Sequence, residues 1–355
     1  MPSRARVSPN QRVAGLAAAI LIGAVAAAVL SARGVGAGEP NPILAGYHMG
    51  GSVTPFRDPS IIRVGDTYYV FGTDVGDVNF ASLPIRCSKD KVVWLACGSV
   101  FKGVPDWVKQ KLPKTEGLWA PDISFFNGLY HVYYAGSVFG TNTSVIGLAT
   151  NTTLDRKDPA YKWVDHGEVL STDGAGYNYN AIDPNILIDG DGSIWMSFGS
   201  FWSGIKQRRI DPDTGMLSTA DTKLYSLASR PDDRVHAIEG SSQVRHDGLY
   251  YLFVSFGACC DPNPMKDDYR IMVGRGESVH GPFVDRHGRS MRDGQAELLL
   301  EGDGVTWQGP GGQTVYTDPE RGDLIVFHGL KLPAGQAYLF VNPLAWENGW
   351  PVIKP

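Results

Sequence analysis

The sequence predicts an all-β fold, a five-bladed β-propeller forming a single domain over residues 40–355. Three observations predict it: a hairpin unit that recurs along the chain, a near-constant interval between the copies, and a composition suited to many short strands. The unit reads DPSIIRVGDTYYVFGT from Asp58, PDISFFNGLYHVYYAGS from Pro121, DPNILIDGDGSIWMSFGS from Asp183 and EGSSQVRHDGLYYLFVSFG from Glu239. A weaker fifth copy, GPGGQTVYTDPERGDLIVFHG, starts at Gly309. Each copy has a polar opening, a short strand, a tight turn (VGD, NG, GDG, DG, RGD) and an aromatic strand. Two strands around such turns form a hairpin.

The acidic openings at 58, 122, 183 and 239 lie 64, 61 and 56 residues apart. That length holds about four strands, one propeller blade. A lone hairpin is marginal in water, so the blades must pack against one another around an axis. The alternative, a β-sandwich with chance similarity, does not explain the spacing. Gly (43) and Pro (23) with 11% aromatics supply turns and strand faces, and no helical period stands out beyond the N-terminal stretch.

That stretch has its own character. Residues 1–12 carry Arg4, Arg6 and Arg12 and no acid, residues 13–32 are uncharged and almost wholly apolar, and small residues follow around Val35-Gly36-Ala37. A basic region, an apolar run and a small-residue cleavage zone make residues 1–37 a signal peptide, and the mature protein is expected outside the cell. An uncleaved anchor is the rival reading, and the only one that would involve a membrane. The run is just long enough to span a bilayer, but its Ala and Gly insert weakly.

Net charge is -5 with no basic run in the mature part, which argues against a nucleic-acid partner. Four cysteines, Cys87, Cys97, Cys259 and Cys260, form no metal-ligand spacing. Cys87 and Cys97 either close a short loop or stay as free thiols. Adjacent Cys259 and Cys260 are not expected to bridge each other.

The chemistry lies in the openings. The first strand of each propeller blade lines the central channel, so Asp58, Asp122, Asp183 and Glu239 are expected to converge near one rim. Crowded carboxyls repel and shift one another's pKa, which costs stability and marks a functional site. Taken singly, an Asp before Pro (Asp58-Pro59, Asp183-Pro184) would be read as a turn residue. Glycoside hydrolysis needs one protonated and one ionised carboxyl, and Glu239 has the longest reach, which suits the proton donor.

Together these residues resemble the arabinanases of glycoside hydrolase family 43. The motifs are RDPSIIRVGDTYYVFGT, LWAPDI, NAIDPNILIDGDG, FGSFW, AIEGSSQVRHDGLYYLFVSFGACC, YRIMVGRGESVHGPFVD and WENGWPVI, in order over the mature chain. The resemblance implies an inverting, endo-acting hydrolase of α-1,5-linked L-arabinofuranose chains, working as a monomer on arabinan or its oligosaccharides. It puts the general base on Asp58, the general acid on Glu239 and the tuning acid on Asp183, and makes Asp122 structural. Trp119, Phe139 and Trp202 are candidates to stack on sugar rings. Asn180 and Ser200 match the family's polar substrate contacts. Core packing is the alternative for the aromatics.

The resemblance also implies a calcium ion on the axis, held by water and a fifth-blade histidine, here His328. Without calcium, His328 would be a buried hydrogen-bonded side chain. Two positions depart from the family: Arg57 stands where a His usually precedes the base, and GPGG ends in Gly312 where the family has GPGH. An exo-acting α-L-arabinofuranosidase or β-xylosidase, a sugar-binding propeller and a purely structural propeller are the competitors. Neither of the last two needs three acids at the axis.

Overall fold

A computed structural model of the chain describes residues 41–74, 82–261 and 263–355. The leader at 1–37 lies outside the described residues, and no helix among them is long and apolar enough to cross a membrane. The strands form five sheets. Blade I holds β2 (Ser60–Val64), β3 (Thr67–Phe71), β4 (Ser82–Ser88) and β5 (Val93–Phe101), with β1 (Gly50–Gly51) added in parallel to β5. Blade II holds β6 (Trp119–Phe126), β7 (Leu129–Ser137), β8 (Thr143–Asn151) and β9 (Val164–Asp173). Blade III holds β10 (Asn185–Ile188), β11 (Ile194–Phe198), β12 (Ile205–Ile210) and β13 (Tyr225–Ala228). Blade IV holds β14 (Ile238–His246), β15 (Leu249–Phe256), β16 (Arg270–Gly276) and β17 (Glu297–Glu301). Blade V holds β18 (Trp307–Tyr316), β19 (Leu324–Lys331), β20 (Gln336–Glu347) and β21 (Trp350–Ile353).

Each blade is an antiparallel meander, as the hairpin repeat predicts. Asn127-Gly128 and Asp247-Gly248, the NG and DG turns, have positive φ at both residues (48° and 72°, 49° and 81°). That is the geometry that joins two right-twisted strands with a two-residue loop. The innermost strands β2, β6, β10, β14 and β18 touch in succession, and β18 touches β2, which closes the ring.

The register corrects one expectation. Trp119, Glu239 and Gly311 each pair with the neighbouring strand, two residues then bulge out, and pairing resumes at Asp122, Ser242 and Thr314. The residue at this place is left-handed in all five blades, Ala120 (φ 41°), Gly240 (59°) and Gly312 (56°) in the bulges and Asp58 (48°) and Asp183 (56°) two residues before β2 and β10. Asp58 and Asp183 are therefore true counterparts. Asp122 is not one of them: it lies two residues further, in register with Ser60 and Asn185. Glu239 lies one residue before the bulge.

This register supplies the links between blades. Ile123 N donates to Ser60 Oγ (3.1 Å), Ile186 N to Asp122 Oδ2 (2.9 Å), Gln243 N to Asn185 Oδ1 (2.8 Å) and Val315 N to Ser242 Oγ (3.0 Å). The seam between blades V and I has an amide link of the same kind, from Arg63 N to the Tyr316 hydroxyl (3.3 Å), and adds an ion pair. Arg63 donates from Nε and Nη2 to the carboxylate of Asp318 (2.7 and 3.1 Å), whose side chain is wholly buried. Phe56 N also donates to Ala337 O (3.1 Å). Phe56, Leu44, Met49 and Val53 enter the core shared by blades I, IV and V.

Asp122 also accepts from Ser60 Oγ and Asn185 Nδ2, both at 3.0 Å. Burial outweighs these donors and lifts its pKa to about 7. Asp122→Ala strands three buried donors and is expected to cost about 2–4 kcal/mol in denaturant unfolding. A group with a raised folded pKa stabilises fully below its unfolded value, and that contribution is lost as pH rises to the folded one. Asp122→Asn should accordingly flatten the fall in stability between about pH 4 and pH 7.

Candidate active site

The openings of blades I, III and IV meet at one mouth of the channel, at the floor of a cleft of about 620 Å³. Its lining includes every residue that the sequence nominates apart from His328: Asp58, Asp183, Glu239, Trp119, Phe139, Asn180, Ser200 and Trp202. Phe139 is 73% exposed and Trp202 36% exposed, so both are free to receive a flat ligand. Trp119 packs edge-on against Phe139, with ring centroids 6.4 Å apart. Asn180 and Ser200 are buried in the wall. Asn180 Oδ1 accepts from Ser144 Oγ at 2.6 Å.

Each carboxyl has its own partners. Asp58 accepts a hydrogen bond from Thr73 Oγ1. Asp183 Oδ2 accepts from Gly240 N at 3.0 Å, which ties it to the residue after Glu239. Glu239 accepts from Ser200 Oγ at Oε2 (2.7 Å) and from the Tyr269 hydroxyl at Oε1.

All three acids are raised above the ordinary carboxylate range, first of all by burial. For Asp183 the charges of Glu239 and Asp58 add to it and only one amide opposes. For Glu239 the two hydroxyl donors oppose it, and for Asp58 the Thr73 hydroxyl and the Arg57 charge do. The three titrate as a set.

Sequence reading missed Tyr269 and Thr73. Both follow or precede ordinary strands, and a lone Tyr or Thr there reads as packing. It also misjudged the cysteines at the rim: Cys259 and Cys260 are joined to each other. Cys260 takes a left-handed backbone (φ 73°) in the loop after β15, which lets neighbouring side chains turn to the same side. Cys87 and Cys97 are joined across β4 and β5, with Cα atoms 5.9 Å apart.

His328, on β19, is buried behind Asp58, and burial with the nearby Arg57 charge keeps it neutral, well below its usual pKa. Its Nδ1 lies 3.3 Å from Asp58 N and 3.5 Å from Asp58 Oδ1, and its Nε2 lies 3.4 Å from Arg57 Nη1. The Asp58 amide donates to Nδ1 and the guanidinium faces Nε2, so both ring nitrogens look onto N–H groups. Calcium prefers six to eight oxygens. No cluster of three or more His, Cys, Asp or Glu able to hold a metal exists among the described residues. A neutral imidazole has one lone pair, and both nitrogens that could carry it are faced by N–H groups and not left open to a metal. The residues present do not fit calcium.

A five-bladed propeller with three buried acids, each with its own hydrogen-bond partners, in a cleft flanked by exposed aromatics has the make-up of a glycoside hydrolase. The chain belongs to glycosyl hydrolases family 43, whose family model it matches over residues 41–351. It is 38% identical to the extracellular endo-alpha-(1->5)-L-arabinanase 1 of Bacillus subtilis over 304 residues, 85% of this chain and 88% of that one. It is 35% identical to the extracellular exo-alpha-(1->5)-L-arabinofuranosidase ArbA of Cellvibrio japonicus over 325 residues, 88% and 90% of the two chains. The solved family 43 endo-arabinanase of Bacillus licheniformis superimposes with a TM-score of 0.76 at 40% identity, covering 86% of this chain and 99% of that one.

Proposed function

We propose that the protein is a secreted, inverting hydrolase that cuts internal α-1,5-L-arabinofuranosidic bonds of arabinan. The observation that carries this reading is the gathering of Asp58, Asp183 and Glu239 at one cleft floor with three different partner sets. Relatives at 35–38% identity over nearly their whole length are named for α-1,5-arabinan cleavage, and two of them are extracellular.

In this mechanism Glu239 passes its proton to the leaving glycosidic oxygen. Asp58 takes a proton from a water that attacks the anomeric carbon from the opposite face. Asp183 repels charge from Glu239 and, through Gly240 N, fixes the backbone that carries it. Tyr269 and Ser200 aim the acid. Phe139 and Trp202 stack on furanose rings along the cleft. After each turnover a proton returns to Glu239 and leaves Asp58 through solvent.

Digestion of linear arabinan, followed by chromatography over time, tests the reading. A ladder of oligosaccharides that shortens with time is expected. Release of a single short product from the outset would make the enzyme exo-acting, as the Cellvibrio relative is named. No release of arabinose or its oligomers would overturn the assignment.

A further inference from the structure

We propose that Arg57 is the resident cation of the propeller axis: its guanidinium, docked on Nε2 of His328, takes up the place a metal ion would need and sets a fixed positive charge beside the base Asp58. Three observations meet here. Arg57 Nη1 faces Nε2 at 3.4 Å and Cys260 Sγ at 3.7 Å, so the side chain is held between the fifth blade and the paired cysteines of the fourth. The His328 ring is buried, and its other nitrogen is faced by the Asp58 amide at 3.3 Å. And Gly312 leaves the space that this arrangement needs. A Cβ there would lie 2.3 Å from Asp58 Oδ1 and 2.9 Å from His328 Nδ1, at a φ of 56°. A larger residue at 312 would push Asp58 and the imidazole apart. The two departures from the family motif, Arg57 and Gly312, are thus one device. A metal bound to Nε2 would bring two like charges together in a buried pocket, so ion and guanidinium exclude each other.

Arg57 acts through Asp58 and is a positioning residue. The groups facing Asp58 are Thr73 at the end of β3, Arg57, His328 on β19, Asp183 before β10, Glu239 on β14 and Tyr269 before β16. Arg57 is the only cation among them. Burial favours protonated Asp58, while the Thr73 hydroxyl and the Arg57 charge favour the ionised form that a base requires. The inference rests on the proposed role of Asp58, and its test has one arm that does not.

In that arm, wild-type protein is stripped with EDTA, dialysed and melted with and without added calcium. The expected result is the same melting temperature in both and less than stoichiometric calcium by elemental analysis. A melting temperature that falls on stripping and is restored by calcium alone overturns the proposal, whatever the substrate. The second arm compares the pH dependence of kcat/KM for Arg57→Gln and Arg57→Lys. Loss of the charge raises the pKa of Asp58, so the acidic limb of Arg57→Gln is expected to move up by about one pH unit, with about tenfold lower activity below it. Arg57→Lys should keep the wild-type limb. An unmoved limb in a folded Arg57→Gln variant overturns the proposal, and so does an equal shift in both variants. Complete absence of arabinan hydrolysis by the wild type would instead count against the proposed function and leave the metal arm to judge Arg57.

Discussion

Glu239→Ala should lose about 10³–10⁴-fold in kcat on arabinan, the upper range for removal of a general acid. The same variant should lose far less on an aryl arabino-oligosaccharide with a nitrophenolate leaving group. That group departs without a proton, so the missing acid is not missed there. The structure gives the contrast its sharpness. Glu239 is buried, its two oxygens are occupied by Ser200 and Tyr269, and Asp183 is tied to Gly240 N and not free to replace it. The variant should also lose the basic limb of its pH profile, because that limb reports the acid's deprotonation. Equal losses on the two substrates would remove Glu239 from the role of acid.

Asp58→Ala should be slow on every substrate by a comparable factor, since water activation is needed whatever the leaving group. Added azide, a small anion that attacks without losing a proton, should restore turnover and give a glycosyl azide. The fold should survive, although Ala accommodates the left-handed backbone at residue 58 less well than Asp. Proton NMR of the first sugar released by the wild type checks the same assignment from another side. Inverted configuration is expected. Retention would make Asp58 a nucleophile and would call for a glycosyl-enzyme intermediate.

The repeat, its turns and the ring were legible because hairpin chemistry is local: Asn-Gly and Asp-Gly announce the turns, and alternating aromatics announce the strands. Asp58, Asp183 and Glu239 were legible as a set because each opens a copy of the repeat. What identity of residue type could not show was register. Asp122 looks like a fourth member, yet the bulge puts Ala120 in that place and turns Asp122 to its neighbours. Tyr269 and Thr73 stayed hidden because hydrogen bonding to a distant carboxyl leaves no trace in local pattern. The pairing of Cys259 with Cys260 depended on one left-handed residue, and the departure at Arg57 acquired meaning only when His328, 271 residues away, came to face it.

The seam between blades V and I gives the closed ring a clasp. Four joints are made by backbone amides on neutral or buried acceptors, which are indifferent to salt. The fifth has amide links too, among them Arg63 N to the Tyr316 hydroxyl and Leu339 N to Val53 O, and adds the buried pair of Arg63 on Asp318. Burial alone would raise the Asp318 pKa. The hydrogen bonds and charge of Arg63, with the amides of Glu320 and Arg321, outweigh it and hold the group below the ordinary value. A depressed acid stabilises above its unfolded pKa and gives that up as pH falls through the folded one. In strong acid, then, the molecule has a preferred place to come undone. It should unbuckle where the first blade meets the last and open as a strap of still-paired blades, with amides of β2 and β18 exchanging with solvent ahead of those around β10.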